Sequence, residues 1–479
     1  MQDNFLDNPI AFKVKNIFAI EKGKLFFQFL TTRDVIGLRR TCHEFKQLVT
    51  NFPWNDNCII KDHPILVSKW RNSFPNAISC TISRFMLNDN TDNILAILQG
   101  IKHLDITGCE KVTNAGFAYL PGIQSLSMQC HRHYDKYNIT DDAFIHLKGI
   151  KYLDIEGCKQ FTKKVLSHIS DIHTLKINNC DQFDDDSIVH FENIHTLEMK
   201  NCNKITSIGI SHLINIHKLV ISNSQLITDS AFINLKKLRI LFMYNCPIIT
   251  EDVFAYLSGI HTLNIARCNK ITGAGFVHLS GIHTLDISEC ELITDNCLVH
   301  LSGIYSLNMS GCELITDNCL IHLAGIHELN LSNCSKITGV GFEHLAGIHT
   351  LNLNDCIEII DSSLIHLKGI QKIYMDNCYN ITDVGLANLV GVKFLSIYGC
   401  DCITDVGLAH LIGLEYLIMN NFGERITPDG LLPLMPSLQT LLRNGYCSIC
   451  GYYQSSSGKI VMHGPICKFC KLIPRLKFD

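Results

Sequence analysis

A period of 22 residues runs through most of this chain and limits the folds that it can adopt. The unit GIHTLDISECELITDNCLVHLS at 281–302 is followed directly by GIYSLNMSGCELITDNCLIHLA at 303–324. Fifteen such units extend from residue 100 to about residue 435, with an insertion of five residues in the second, and a further strand is predicted from Pro436. Repeats of this length stack on their neighbours, so the sequence predicts one continuous array and not a set of separate globular domains.

Each unit opens with a short alternation of apolar and polar residues. In the unit at 281–302, Leu285 and Ile287 alternate with the polar residues Thr284, Asp286 and Ser288. Alternation of this kind indicates a strand that buries one face and exposes the other.

A turn and a short helix follow the strand. The pair Thr294-Asp295 is typical of a helix N-terminus, and Leu298 and Leu301 give the helix one buried side. One unit cannot bury its own apolar residues, whereas stacked units bury each other's. The alternation of strand and helix therefore predicts an α/β solenoid with a single long core.

The chain contains 23 cysteines, and most of them fall on one repeat position. Twelve units have a cysteine there, at Cys109, Cys158, Cys180, Cys202, Cys246, Cys268, Cys290, Cys312, Cys334, Cys356, Cys378 and Cys400. Metal binding or redox chemistry is one interpretation of this ladder, and a row of buried thiols is the other. Adjacent parallel strands lie about 4.8 Å apart, so geometry alone permits disulfides. We predict reduced, buried thiols, because the acidic segment MQDNFLDNPIAFK lacks the features of an export signal.

The pattern L-x-x-L-x-L-x-x-C, followed by I-T-D-x-x-L, resembles the cysteine-containing subfamily of leucine-rich repeats over about 340 residues. This resemblance implies a horseshoe-shaped α/β solenoid. Parallel strands would line its concave face and helices its convex face. We expect partners to bind along the concave face, through the strand residues that point outward.

Histidines recur at two further repeat positions. One set precedes the strands, at His173, His195, His217, His261, His283, His327 and His349. The other lies near the helix ends and includes His168, His190, His212, His278, His300, His322, His344, His366 and His410. A metal-binding or pH-sensing surface is one interpretation. No acid or cysteine recurs beside these histidines, so we favour duplication of a tolerated surface residue.

The N-terminal segment at 25–54 reads LFFQFLTTRDVIGLRRTCHEFKQLVTNFPW and resembles an F-box. F-boxes are three-helix modules that dock on the Skp adaptor of cullin-based ubiquitin ligases. The resemblance implies adaptor contacts through Leu25, Phe29, Leu30, Val35, Leu38, Cys42, Phe45 and Leu48. The usual opening Leu-Pro would fall at Phe18-Ala19, and neither residue matches it. The alternative is an amphipathic helical cap for the solenoid.

The predicted domains are an F-box-like helical module at 1–56, a junction with an N-terminal capping repeat at 57–99, the solenoid at 100–444 and a C-terminal module at 445–479. The junction is assigned as a repeat because Ile78, Cys80 and Ile82 alternate with polar residues as in a strand. A terminal repeat needs one polar face, which agrees with the irregularity of this segment.

The C-terminal module contains two close cysteine pairs, Cys447-x-x-Cys450 and Cys467-x-x-Cys470, separated by sixteen residues. This spacing is typical of four thiolates around one Zn²⁺. Four sulfurs leave no position for a catalytic water, so we predict a structural ion that staples a module with too small a core to fold alone. His463 is the other candidate ligand, so the two-zinc set of a RING-type ligase is incomplete.

Most outward strand positions are small or polar, but aromatic and apolar residues occur there in two places. Exposed aromatics on adjacent strands are typical of protein-binding hot spots. The predicted target-binding residues are Phe242, Tyr244, Tyr374, Phe394, Tyr398, Tyr416 and Ile418. The alternative for the second group is that the C-terminal cap covers these rings and makes them part of a core.

Composition argues against several classes of function. A net charge of −4 with 18% charged residues gives no electrostatic reason to expect nucleic acid, although the tail after Lys459 is locally basic. The sequence contains no apolar run of about 18 residues, so it does not predict a membrane span. No triad, phosphate-binding loop or pair of carboxylates stands out, so the sequence does not predict an enzyme.

The leading hypothesis is therefore a cytoplasmic substrate receptor of a cullin-type ubiquitin ligase. The F-box would hold the Skp-type adaptor, and the strand face would hold an unknown target protein. The alternative is a scaffold without a ligase link that sequesters or localises a partner. The near-identical repeats and the Ile- and Asn-rich usage also resemble F-box and repeat proteins of giant amoeba-infecting viruses, which would imply a host adaptor and the host cytoplasm.

Overall fold

The structure is a computed structural model that describes residues 30–35, 43–55, 58–61, 64–83, 91–108, 111–130, 138–419, 425–427, 429–438, 440–443, 446–447, 452–454 and 460–461. The chain divides into two compact units, Met1–Ile216 and His217–Asp479. Each unit is built from a parallel sheet and short helices.

Within its described residues, the first unit contains seven strands, each paired in parallel with the next. They are β1 (Ile59–Lys61), β2 (Ser79–Ser83), β3 (His103–Asp105), β4 (Ser125–Ser127), β5 (Tyr152–Asp154), β6 (Thr174–Lys176) and β7 (Thr196–Glu198). Its helices are Thr32–Val35, His43–Asn51, Pro64–Ser73, Thr91–Ile97, Asn114–Phe117, Asp141–Leu147, Lys164–Ser167, Asp185–Ile188 and Ser207–Ser211. The helix Asp141–Leu147 is a 3₁₀ helix, and the others are α-helices.

A small aromatic core joins the N-terminal helices to β1 and β2. The Trp54 indole is buried and donates a hydrogen bond of 2.7 Å to the carbonyl of Val49. The same ring packs edge-on against Phe74. The backbone carbonyl of Trp54 accepts a hydrogen bond from the amide of Ile78. The segment that precedes the repeats is therefore packed onto the first strands of the sheet.

The described part of the second unit contains eleven parallel strands, each paired with the next along the chain. They are β8 (Lys218–Val220), β9 (Ile240–Phe242), β10 (Thr262–Asn264), β11 (Thr284–Asp286), β12 (Ser306–Asn308), β13 (Glu328–Asn330), β14 (Thr350–Asn352), β15 (Lys372–Tyr374), β16 (Phe394–Ser396), β17 (Tyr416–Met419) and β18 (Thr440–Arg443). The register places the same repeat position side by side, so Leu263 pairs with Leu285 and Leu285 with Leu307.

The helices of the second unit are short and mostly of the 3₁₀ type. The 3₁₀ helices are Asp229–Phe232, Glu251–Tyr256, Ala274–Leu279, Asp295–Leu301, Asp317–Leu323, Phe342–Leu345, Asp361–Leu367 and Leu432–Leu434, and the α-helices are Asp383–Leu386 and Asp405–Leu408. A 3₁₀ helix rises about 2.0 Å per residue, so it spans more length with fewer residues than an α-helix. A small antiparallel sheet follows, formed by β19 (Tyr446–Cys447), β20 (Tyr452–Gln454) and β21 (Ile460–Val461).

The core of each repeat is formed by the positions that the sequence pattern predicts. Leu285, Ile287, Cys290 and Leu298 are all completely buried, and Leu301 is nearly so. Burial of a Leu or Ile side chain contributes about 1.5–3 kcal/mol, so this set is the main source of stability in each repeat. The predicted α/β leucine-rich-repeat fold is confirmed in its repeat architecture.

Neighbouring repeats are also joined by a polar contact that we name the Asp–Thr latch. Asp295 begins its helix, and its carboxylate accepts from the Thr316 amide at 2.8 Å and from the Thr316 hydroxyl at 2.6 Å. The same contact joins Asp361 to Thr382 and recurs in both units. The Thr-Asp pair therefore does more than begin a helix, because its Asp also fixes the start of the next one.

In the described residues, no helix is both long and apolar enough to cross a membrane.

Candidate functional site

The candidate binding surface is the outward strand face, which we define as the fourth, sixth and eighth residues of each repeat. In the repeat at 281–302 these are Thr284, Asp286 and Ser288. Because successive side chains of a strand point to opposite faces, these three point away from the buried Leu285 and Ile287. This face offers a row of side chains from successive strands at a spacing of about 4.8 Å.

Most polar side chains on this face are used by the fold itself. The Asp286 carboxylate accepts from the amide and the hydroxyl of Ser288, two residues further along. Asn308 and Asn330 make the same local contact to the amides that follow them. These side chains stabilise the turn after the strand, so part of their hydrogen-bonding capacity is already used and is not available to a partner.

Three aromatic rings interrupt this polar pattern near the end of the second unit. The centroids of the Tyr374 and Phe394 rings lie 4.7 Å apart, and those of Phe394 and Tyr416 lie 6.1 Å apart. Because Tyr374 cannot accept a hydrogen bond from its own turn, Asn354 of the preceding repeat accepts from the amide of Asp376 instead. We name Tyr374, Phe394 and Tyr416 the aromatic row.

The other predicted residues of this group lie on the same face as the aromatic row. Tyr398 and Tyr416 expose 39% and 37% of their surface, which leaves both rings accessible within the described residues. Ile418 is half-buried and pairs with Ser396 on β16. Burial, with the nearby Asp376 carboxylate, raises the pKa of Tyr374, so its hydroxyl is protonated at neutral pH.

The two predicted residues at the start of the second unit lie apart from the aromatic row in sequence. Phe242 and Tyr244 are half-buried on β9 and just after it. The Arg267 guanidinium lies over the Tyr244 ring, 5.4 Å from its centroid, and forms an ion pair with Glu289. The sequence reasoning missed Arg267 and Glu289, although each directly precedes a ladder cysteine where other repeats have Gly, Asn or Asp.

A charged cluster occupies the outward strand face of the first unit. Lys176 lies 3.4 Å from the Glu198 carboxylate, and its ammonium lies 5.9 Å from the centre of the Tyr152 ring. Asp154 is buried and accepts a hydrogen bond of 2.6 Å from Gln129. Burial raises the pKa of Asp154, although the hydrogen bond from Gln129 opposes that shift.

The histidines that precede the strands form ring stacks. In the second unit the rings of His261, His283, Tyr305, His327 and His349 stack in sequence, with centroids 4.5–4.6 Å apart. The sequence reasoning identified the ladder but not this contact between rings. Across the part of the chain that the structure describes, no group of three or more His, Cys, Asp or Glu side chains could hold a metal ion.

The ladder cysteines are free thiols buried in the core, as the sequence predicts. Cys109 falls outside the described residues. The Cys290 thiol donates to the carbonyl of Ile265 at 3.3 Å, and Cys312 donates to Ile287 in the same way. Burial raises the pKa of Cys290 to about 11. A thiol with such a pKa is a poor nucleophile and a poor metal ligand at neutral pH.

The predicted adaptor and zinc residues are described only in part. Leu30 is half-buried, Val35 is completely buried and Leu48 exposes 40% of its surface. The predicted residues or side chains that lie outside the described part are Leu25, Phe29, Leu38, Cys42, Phe45, Cys450, Cys467 and Cys470. Of Cys447 the structure describes only the backbone, in β19.

No model of a protein family matches this chain, and no curated protein matches it. Several solved structures are similar to it. In the crystal structure of the Rad7–Elc1 complex of yeast, one chain is 15% identical, with 79% of this chain and 91% of that chain covered and a TM-score of 0.45. In the Toll–Spatzle complex of Drosophila one chain is 14% identical, with 80% of this chain and 56% of that chain covered and a TM-score of 0.49. An internalin of Listeria monocytogenes is 19% identical, with 69% of this chain and 89% of that chain covered and a TM-score of 0.44.

The assignment of the repeats rests on the chain's own geometry. A parallel strand, a turn and a short helix recur every 22 residues, with leucine and isoleucine at the buried positions. The described part of each compact unit therefore has a leucine-rich-repeat fold.

Proposed function

We propose that this chain is the substrate-recognition subunit of a cullin-type, SCF-like ubiquitin ligase. A target protein binds to the outward strand face, and an Skp-type adaptor binds to the segment 25–54. The chain does no chemistry itself, and it acts by holding the target close to the ubiquitin-loaded enzyme.

The aromatic row is the observation that carries the binding part of this proposal. Its rings already lie against one another in the free chain, so little side-chain entropy is lost when a partner covers them. Tyrosine rings also combine a large apolar surface with a polar hydroxyl, which suits a surface that is exposed before binding. The polar middle strands β11–β14 offer no comparable group.

A scaffold without a ligase link is the second candidate function. It is favoured by Val35, which is completely buried in this structure and therefore unavailable to an adaptor. The departure of Phe18-Ala19 from the usual Leu-Pro supports the same alternative. Under this function the outward strand face still binds a partner, and the segment 25–54 only caps the repeats.

Binding of the purified full-length chain to a purified Skp-type adaptor separates the two functions. We expect the wild-type chain to bind, and Leu30→Ala to weaken that binding at least tenfold without changing the melting temperature by more than a few degrees. Lys46→Ala, on the exposed side of the helix His43–Asn51, is the matched control and should bind as the wild type does. A wild-type chain that does not bind the adaptor would contradict the ligase proposal and favour the scaffold.

The proposed cofactor is one structural Zn²⁺ held by Cys447, Cys450, Cys467 and Cys470. The proposed location is the cytoplasm, and it is the cytoplasm of the host if the chain is of viral origin. The spacing of the cysteine pairs supports the first proposal, and the reduced thiols of the core suit the second.

A further inference from the structure

The turn after each strand requires a backbone conformation that few residues adopt without strain. The residue before the ladder cysteine has a positive φ, for example 60° at Asn179 and 77° at Gly399. Every other residue with a positive φ at this repeat position is Gly, Asn or Asp, but Arg267 and Glu289 adopt φ values of 58° and 55°. The left-handed region is disfavoured for long side chains, so these two residues destabilise their turns relative to Asn.

The contacts of the pair do not offset this strain. Arg267 donates through Nε and Nη2 to the two carboxylate oxygens of Glu289, at 2.8 and 2.7 Å. About half of each side chain is exposed to solvent, at 48% and 52%. Ion pairs as exposed as this one contribute little to stability. In other repeats an Asn makes the neighbouring contact without strain, as between Asn201 and Asn179 at 2.6 Å.

The guanidinium of Arg267 keeps unused capacity for a ligand. It has five N–H groups, and Glu289 accepts from two of them. Within the described residues, the other three make no hydrogen bond. The group is held in a fixed position by the bidentate contact and by the Tyr244 ring beneath it. An oriented guanidinium of this kind is suited to a carboxylate, which it can bind with charge-assisted hydrogen bonds.

The surface around Arg267 is apolar with cationic groups at its edge. The outward positions of β8–β10 and their turns are Lys218, Val220, Ser222, Ile240, Phe242, Tyr244, Thr262, Asn264 and Ala266, and none of them is acidic. Val220, Ser222 and Ala266 are buried, so the accessible apolar surface here is formed by the half-buried side chains of Ile240, Phe242 and Tyr244. Arg239 directly precedes β9. The nearest acids along the face are Asp286, which is bonded to Asn264 and to its own turn, and Glu289. This surface is complementary to a segment that carries both acidic and apolar side chains.

We propose that Phe242, Tyr244 and Arg267 form a binding site for an acidic, apolar segment of a partner protein. A carboxylate of the partner accepts from the unused N–H groups of Arg267, and an apolar side chain beside it packs on Phe242 and Ile240. The proposal rests on the proposed function only in taking the outward strand face as a protein-binding face. It adds the chemical class of the partner and a site separate from the aromatic row.

Arg267→Asn is the variant that tests the proposal. It introduces Asn, which occurs at this turn more often than any other residue, so we expect a melting temperature equal to or about 2 °C above that of the wild type. The probe is an array of short random-sequence peptides of known composition, incubated with the full-length chain. We expect the bound peptides to be enriched in Asp or Glu next to Leu, Ile or Phe. That enrichment should fall roughly tenfold in Arg267→Asn, because charge-assisted hydrogen bonds are lost.

Lys336→Asn is the matched control, because it removes one positive charge from an exposed residue that is not part of this surface. It should leave the enrichment unchanged. A bound set without acid enrichment would overturn the proposal, as would the same enrichment in Arg267→Asn. A fall in melting temperature by several degrees in Arg267→Asn would show that the ion pair is structural, and would also overturn it. None of these outcomes depends on adaptor binding, so the proposed function can fail while this site stands.

Discussion

Removal of one Asp–Thr latch tests how the repeats are held together. In Asp295→Ala, the Thr316 amide and hydroxyl lose their acceptor, and both groups are only partly accessible to water. Hydrogen bonds to charged groups contribute about 1.5–3 kcal/mol each, and part of that loss is regained when water enters, so we expect a cost of roughly 2–4 kcal/mol. The cost should be measured as the change in free energy of unfolding in urea, followed by circular dichroism.

The position of the effect is as informative as its size. Each repeat contacts its neighbours, so the loss should be local to the repeats at 281–302 and 303–324. Hydrogen–deuterium exchange at the Thr316 amide should become faster, while exchange at the distant Thr382 amide, held by Asp361, should not change. The matched control is Asp252→Ala, an exposed acid in the first turn of a helix whose latch is made by Glu251.

The control should cost less than about 1 kcal/mol, because the exposed Asp252 side chain acts only through the helix dipole, whereas the cap uses its backbone amide, which the variant keeps. The reasoning would be refuted if Asp295→Ala and Asp252→Ala destabilised the chain equally. Unchanged exchange at the Thr316 amide would refute it as well.

Three further predictions concern single groups. A thiol reagent at pH 8 should label the exposed Cys402 in the native chain and Cys290 only after unfolding, because burial raises the Cys290 pKa to about 11; equal rates of labelling would contradict this. Burial raises the pKa of Asp154, so the folded state is favoured at low pH, and this stability is lost as the pH rises through the raised pKa. Asp154→Asn should therefore stabilise the chain at pH 7, and its melting temperature should depend less on pH than that of the wild type. Elemental analysis should find one zinc per chain, and none in the double variant Cys467→Ser/Cys470→Ser.

The repeat architecture could be predicted because it depends on a short local pattern. Leu285 and Ile287 alternate with polar residues, and the same pattern recurs in register, so the buried and outward faces follow from the sequence. The cysteine ladder could be predicted for the same reason, because one apolar position is repeated. The aromatic row follows from the same alternation, because Tyr374, Phe394 and Tyr416 all fall at outward positions.

The polar contacts between repeats could not be predicted in the same way. The period shows that Asp295 and Thr316 occupy neighbouring repeats, but not that their side chains meet. The 3₁₀ geometry of the helix Asp295–Leu301 also depends on packing against its neighbours, which the local sequence does not report. Arg267 could have been found, because it replaces Gly, Asn or Asp at a turn that needs a positive φ.

Under the proposed function, the chain holds a target and an adaptor at two separate places. Affinity capture with mass spectrometry should compare the wild type with Tyr398→Ser/Tyr416→Ser, with Leu30→Ala and with the control Tyr379→Ser, whose ring is exposed outside the outward strand face. We predict that the double tyrosine variant loses target proteins and keeps the adaptor. Leu30→Ala should lose the adaptor and keep the targets, and the control should lose neither. The account would be contradicted if the two variants lost the same proteins, or if the double tyrosine variant kept all the proteins that the wild type binds.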